Sequence, residues 1–294
     1  MRCARIKLSK NTLLSRNRIA KYNSARHFLL YPAVILLIFY GNINSQVRLT
    51  DQDLSETVSF YKQVNQANAV KNFQAKMPVP ITDEKTRKTI LDNLPADVIK
   101  LRIENPEISA NLKKLLEPIL KFYGRENVYE IIVFRHPTPI MMSDTGVVIV
   151  VSTGLIERAA SDDELMGYFA HEVAHEYYAQ YSIYTRHLLK LVSENGQETA
   201  LNRKYVEALA LIELQCDGFA VLTLNTLGYN SLSFIEGFEA TGRDFPNHSY
   251  GNHPPDAQRR KLVEQLAPKS NMLIKPHTSA ELIALKGLIG KLEK

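Results

Sequence analysis

The sequence predicts an α+β fold that is mainly helical, with a small antiparallel sheet beside one central helix. Three observations carry this. Residues 161–180 form a capped helical pattern around His171-Glu-Val-Ala-His175. A second helical pattern runs from about Lys204 to Leu227 and stops at Gly228, a favoured helix-terminating residue. Two β-branched runs, residues 128–134 and 146–152, precede both helices and read as an antiparallel pair joined through turn signals at Pro137, Pro139, Asp144 and Gly146.

The central helix is argued from its first turn. Ser161-Asp162-Asp163-Glu164 matches a capping box, in which the serine oxygen accepts from the Glu164 amide and the glutamate reaches back to the serine N–H. Its acids suit the positive end of the helix dipole. Leu165, Met166, Phe169, Ala170, Val173 and Ala174 recur at helical spacing and make a broad buried face. Gly167 weakens the helix by about a kcal/mol against alanine, a cost that close packing would justify.

In this setting His171-Glu172-x-x-His175 has a chemical meaning. Two histidines four apart share one helix face and can hold one zinc ion, with Glu172 directed at a metal-activated water. The competing interpretation is a core helix with two hydrogen-bonded histidines. A site also needs a third ligand, and the 204–227 helix offers one. Glu213 and Asp217 lie four apart among Ala208, Leu209, Ala210, Leu211, Ile212, Phe219, Ala220, Val221 and Leu222. Burying two acids on so apolar a helix is expensive unless they are paired or bind metal. With Glu213 as third ligand, Asp217 is one turn away and able to hold a ligand histidine by its second nitrogen; otherwise both acids face solvent.

From the N-terminus, the 294 residues suit one large domain or two small ones. The net charge of +5 is set by a leader: residues 1–27 contain eight Lys or Arg and no acid, and 36 less those eight leaves 28 basic against 31 acidic residues elsewhere. The body therefore shows no nucleic-acid footprint. Residues 28–40 are uncharged and apolar, short for a membrane span and suited to a signal-peptide core or an uncleaved signal anchor. Residues 1–45 are expected to direct export to the periplasm or the extracytoplasmic membrane face, with membrane contact through 28–40 alone if uncleaved. Cys3 lies in the leader, which leaves Cys216 without an intrachain disulfide partner after cleavage.

Residues 51–74, 82–94 and 106–123 read as amphipathic helices, and Gly124 as a stop. They form either a helical pro-region or the first layer of the domain. Residues 271–294 read as a linker and a short amphipathic helix, with His277 in solvent.

Taken in order, Ser152-Thr-Gly-Leu155, His171-Glu-Val-Ala-His175, Glu213-Leu-Gln-Cys-Asp217 and His253-Pro-Pro-Asp-Ala-Gln-Arg259 resemble the motifs of one zincin family. That family includes heat-shock-type membrane proteases and CAAX prenyl endopeptidases, and the closest similarity is to its soluble, exported bacterial members. The resemblance covers about residues 128–266. It implies one zinc ion held by His171, His175 and Glu213, Glu172 as general base, and Asp217 as an orienting residue. It also places His253 and Arg259 near the cleft as catalytic candidates. Pro254-Pro255-Asp256 is equally a helix start, and Arg259 has Asp217 or Glu213 as alternative partners. Two departures stand out: Pro139-Ile-Met-Met-Ser143 replaces the usual residues before the strand leading to Ser152, and Cys216 stands where alanine is usual. For Cys216 the simplest role is a small buried hydrophobe.

The domain expectation is therefore a helical N-terminal region at 46–125, a zinc metallopeptidase core at 126–268 and a C-terminal appendage at 269–294. The expected activity is hydrolysis of peptide bonds in extended, exported polypeptides, misfolded or belonging to the envelope, by a metal-activated water with Glu172 as base. The alternative is a latent protein or a non-proteolytic chaperone or assembly factor, associated with envelope assembly machinery, in which His253 or His248 closes the site.

Overall fold

The computed structural model describes residues 49–64, 71, 73–74, 76–144, 146–178, 198–245 and 253–292, with the backbone alone for 198–206. The expected leader, Cys3 and His248 lie outside the described residues. Among those described, no helix is long and apolar enough to cross a membrane.

Among the described residues, four helices precede the sheet. Helix α1 (Asp51–Gln63) is closed by a reciprocal cap in which Asp53 N donates to the Thr50 hydroxyl and Thr50 N donates to Asp53 Oδ2. Helices α2 (Glu84–Asp92) and α3 (Ala96–Lys100) are short. Helix α4 (Pro106–Phe122) starts where Asn105 Oδ1 accepts from Glu107 N and Ile108 N. Its buried stripe of Ile108, Leu112, Leu115, Leu116, Ile119 and Leu120 faces the main core. Gly124, at φ 63°, then takes the left-handed conformation that ends it.

The sheet departs from the sequence expectation. Strands β1 (Glu130–Phe134), β2 (Met141–Asp144) and β3 (Val148–Ser152) lie in the order β1-β3-β2. The two β-branched runs do pair, as β1 and β3, but in parallel, with Glu130 opposite Val148 and Phe134 opposite Ser152. The antiparallel neighbour of β3 is β2, so the sheet is mixed. The reason lies in the connection. Pro137 and Pro139 belong to a crossover rather than a hairpin turn, and the true hairpin turn falls at Gly146, whose φ is 68°. Met141-Met-Ser-Asp144 lacks the β-branched signal of its neighbours and is held in the sheet by pairing with the fully buried β3.

Helix α5 (Thr153–Arg158) leaves β3 directly, capped by Ser152. The centre of the molecule is helix α6 (Asp162–Tyr177), which packs on helices α7 (Glu198–Leu227) and α8 (Ser231–Asp244) and against α4 and β2. Gly167 does allow close packing, since a Cβ there would lie 2.5 Å from Phe234 Cβ on α8. A comparable approach brings the Tyr61 ring of α1 onto Gly218 of α7. Helix α9 (Asp256–Leu266) covers α7 and α8, and a short helix, α10 (Lys269–Met272), follows. Helix α11 (Ala280–Leu292) packs on α4 through the buried Leu282, Leu285 and Ile289.

The start of α6 does more than cap its own helix. Ser161 Oγ accepts from Glu164 N at 3.2 Å as expected, but Glu164 Oε2 accepts from Ala160 N, not from Ser161 N. The capping box is therefore half formed. Asp163 takes the amides of Asn230 and His277, and Asp162 takes that of Ser279, so buried acids on α6 fasten the starts of α8 and α11. His277 leaves its ring 69% exposed.

Candidate metal centre

Helices α6 and α7 cross so that one turn of each meets. His171 and His175 lie on consecutive turns of α6, and Glu213 faces them from α7. One ligand atom from each lies within 4.8 Å of the other two. Glu213 Oε2 stands 3.1 Å from His171 Nε2 and 3.6 Å from His175 Nε2. The donor set of two imidazole nitrogens and one carboxylate oxygen is the kind zinc takes in catalytic sites. Both Nδ1 atoms are engaged behind the rings, which leaves the two Nε2 atoms to converge. The residues fit one zinc ion.

Behind His171 the support is ionic and dry. His171 Nδ1 donates to Asp217 Oδ1 at 2.9 Å, and Asp217 in turn accepts from Arg259 Nε at 2.7 Å and Nη2 at 2.6 Å. Asp217 and Arg259 are both fully buried. The guanidinium lies 3.5 Å over the Phe238 ring, a cation–π contact made strong by desolvation. Burial by itself would raise the Asp217 carboxyl, but Arg259 beside it and the bonds from Arg259 and His171 hold it below the ordinary range. Burial would lower His171, yet Asp217 and Glu213 outweigh it and push its pKa up to about 9 in the metal-free site. A proton and a metal ion therefore compete for Nε2.

The three expected ligands come together with Asp217 behind them, and the two cleft candidates separate. His253 reaches the site, with Nε2 2.9 Å from Glu213 Oε2, although it is not one of the mutually close donors. Arg259 lies behind Asp217 with no exposed surface and bonds to it, which is the pairing alternative to a role at the cleft. Sequence spacing leaves both roles open, because it places Arg259 on a helix start near His253 but cannot say which side of α9 faces α7.

Glu172, adjacent to His171 in the chain, is partly exposed, and its backbone carbonyl accepts from Ser143 Oγ at 3.0 Å. This bond fastens β2 alongside α6. Two neighbours of the motif have partners that the sequence does not reveal. Cys216 Sγ lies 3.5 Å from His175 Nδ1. Glu176 is buried in an ion pair with Arg125 at 2.8 Å and accepts from the Tyr129 hydroxyl. Their partners are 41 and 51 residues away in sequence, beyond the reach of any periodicity.

Comparison with known proteins bears on part of this site. The model of Peptidase family M48 matches residues 103–193, from α4 through the sheet to the helix of His171, Glu172 and His175. No curated protein matches the chain. Glu213, Asp217, His253 and Arg259 lie beyond the matched segment, so it is the geometry that joins them to the motif. The match supports a peptidase of a zinc-dependent kind. Over residues 103–193 the chain is thus similar to the M48 zincin metallopeptidases.

Proposed function

We propose that the protein is a zinc-dependent endopeptidase acting on extended segments of exported polypeptides, misfolded or belonging to the envelope. The observation that carries this is the convergence of His171 Nε2, His175 Nε2 and Glu213 Oε2 beside the partly exposed Glu172. Zinc, when bound there, supplies a Lewis acid that polarises a peptide carbonyl and acidifies water. Glu172 takes the proton of the attacking water on its carboxylate and later delivers it to the departing amide nitrogen. Asp217, with Arg259 behind it, keeps the His171 ring turned so that Nε2 faces the site. Strand β2 is the sheet edge beside α6, and an extended substrate would add to it as a further strand. The export half of the proposal is supported by the basic residues 1–27 followed by the apolar residues 28–40.

A second reading is a latent protease or a chaperone using the same groove. It is favoured by His253, which at 2.9 Å from Glu213 Oε2 closes one side of the site. One experiment separates the two. Casein is incubated with the full chain and one equivalent of zinc, beside the Glu172→Ala variant. Cleavage by wild type alone supports the endopeptidase, and cleavage by both sinks the role of Glu172. Silence in both with zinc bound supports latency, and His253→Ala is then expected to release activity.

A further inference from the structure

We propose that Cys216 positions His175 as Asp217 positions His171, by accepting a hydrogen bond from the ring nitrogen turned away from the metal. The proposal rests on the metal-centre reading above. Glu213, Cys216 and Asp217 occupy positions i, i+3 and i+4 of helix α7 and so share one face, opposite α6. From that face each histidine receives its own partner: Asp217 Oδ1 stands 2.9 Å from His171 Nδ1, and Cys216 Sγ stands 3.5 Å from His175 Nδ1. The thiol has no exposed surface.

The direction of the bond follows from His175. Its Nε2 is the nitrogen turned toward Glu213, at 3.6 Å. A neutral imidazole that offers the Nε2 lone pair carries its proton on Nδ1, so the ring donates and sulfur accepts. Cys216 itself is not among the mutually close donors, which places it behind a ligand rather than in the ligand set. Sulfur is a weaker acceptor than a carboxylate. The two histidines are therefore held unequally: His171, 3% exposed, by a buried ion pair, and His175, 28% exposed, by a thiol. His175 is the more easily released ligand of the two.

The test is zinc affinity, measured on the full metal-free chain by competition with a chromophoric chelator. Cys216→Ala and Cys216→Val both remove the acceptor, and Val keeps most of the volume should Ala fail to fold. Each is expected to bind zinc about tenfold more weakly, at the lower end of the effect of orienting partners. Cys216→Ser keeps an acceptor and is expected to stay within about threefold of wild type. A role in packing alone gives the opposite order, because a serine hydroxyl is worse than a methyl group in a buried apolar place. Wild-type affinity in the Ala or Val variant, or weaker binding by Ser than by Ala, overturns the proposal while leaving the metal centre intact. Absence of zinc binding by wild type overturns the metal centre itself, and this inference with it.

Discussion

Asp217 and Arg259 meet as a two-bonded ion pair with no exposed surface, and His171 hangs from the same carboxylate. A pair in that state contributes little net stability while whole and costs a great deal when broken, because the survivor is a bare buried charge.

Removing the cation should therefore be severe. Arg259→Met is expected to lose about 3–5 kcal/mol in urea unfolding of the full chain, with a smaller loss when Asp217→Leu is added. Asp217→Asn keeps the shape and weakens the hold on His171. Zinc affinity is expected to fall about 10–100-fold, read by chelator competition.

Glu176 makes the same argument at the far end of helix α6. Arg125 reaches it at 2.8 Å, also donates to Pro78 O at 2.8 Å, and both charged groups are buried. Glu176 also lies against Gly146, where a Cβ would come within 2.8 Å of its carboxyl carbon. Glu176→Leu, which strands Arg125, is expected to cost about 3–5 kcal/mol in urea unfolding, and the double variant with Arg125→Met less.

Gly167 is expected to resist any larger residue. The space a Cβ needs is filled by Phe234, and the residue is inside a helix where alanine is otherwise favoured by about 1 kcal/mol. Gly167→Ala should still destabilise, by about 1–3 kcal/mol, because α6 and α8 must move apart. A raised melting temperature would show that the helices have room to shift.

Glu164 gives the fold a pH dependence. Burial pushes its pKa up to about 7, with the Ala160 amide and Lys286 opposing. A carboxyl raised in the folded state binds more protons folded than unfolded. Its contribution to stability is therefore complete below the unfolded value near 4.5, declines as pH rises, and is lost above about 7. The penalty at pH 8 is on the order of 3 kcal/mol. Glu164→Gln keeps the acceptor for Ala160 N and removes the charge. Its stability relative to wild type should rise between pH 5 and pH 8 in urea unfolding, and an unchanged difference would exclude a buried charge at this position.

Much of the site was legible because it is local chemistry. His171, Glu172 and His175 are close in sequence, and one helix turn makes the ligand pair. Glu213 and Asp217 could be read as a pair because two acids on an apolar helix demand an explanation. Helix ends at Gly124 and Gly228 were likewise visible, since the left-handed conformation suits glycine, and both adopt it. These are properties of a residue and its near neighbours, so residue chemistry and spacing are enough to read them.

Tertiary structure decided which long-range partners met. The sheet became mixed because β2, unremarkable in composition, was captured by the buried edge of β3. Glu164 reached Ala160 rather than Ser161, and Asp162 and Asp163 were drawn off to fasten the starts of α8 and α11. Arg259 was assigned to Asp217 rather than to the cleft, and Cys216 to His175, only when the crossing of α7 over α6 set which faces touch. A crossing angle is fixed by the packing of many side chains at once, at positions such as Gly167 and Phe234, and no periodicity within a single helix encodes it.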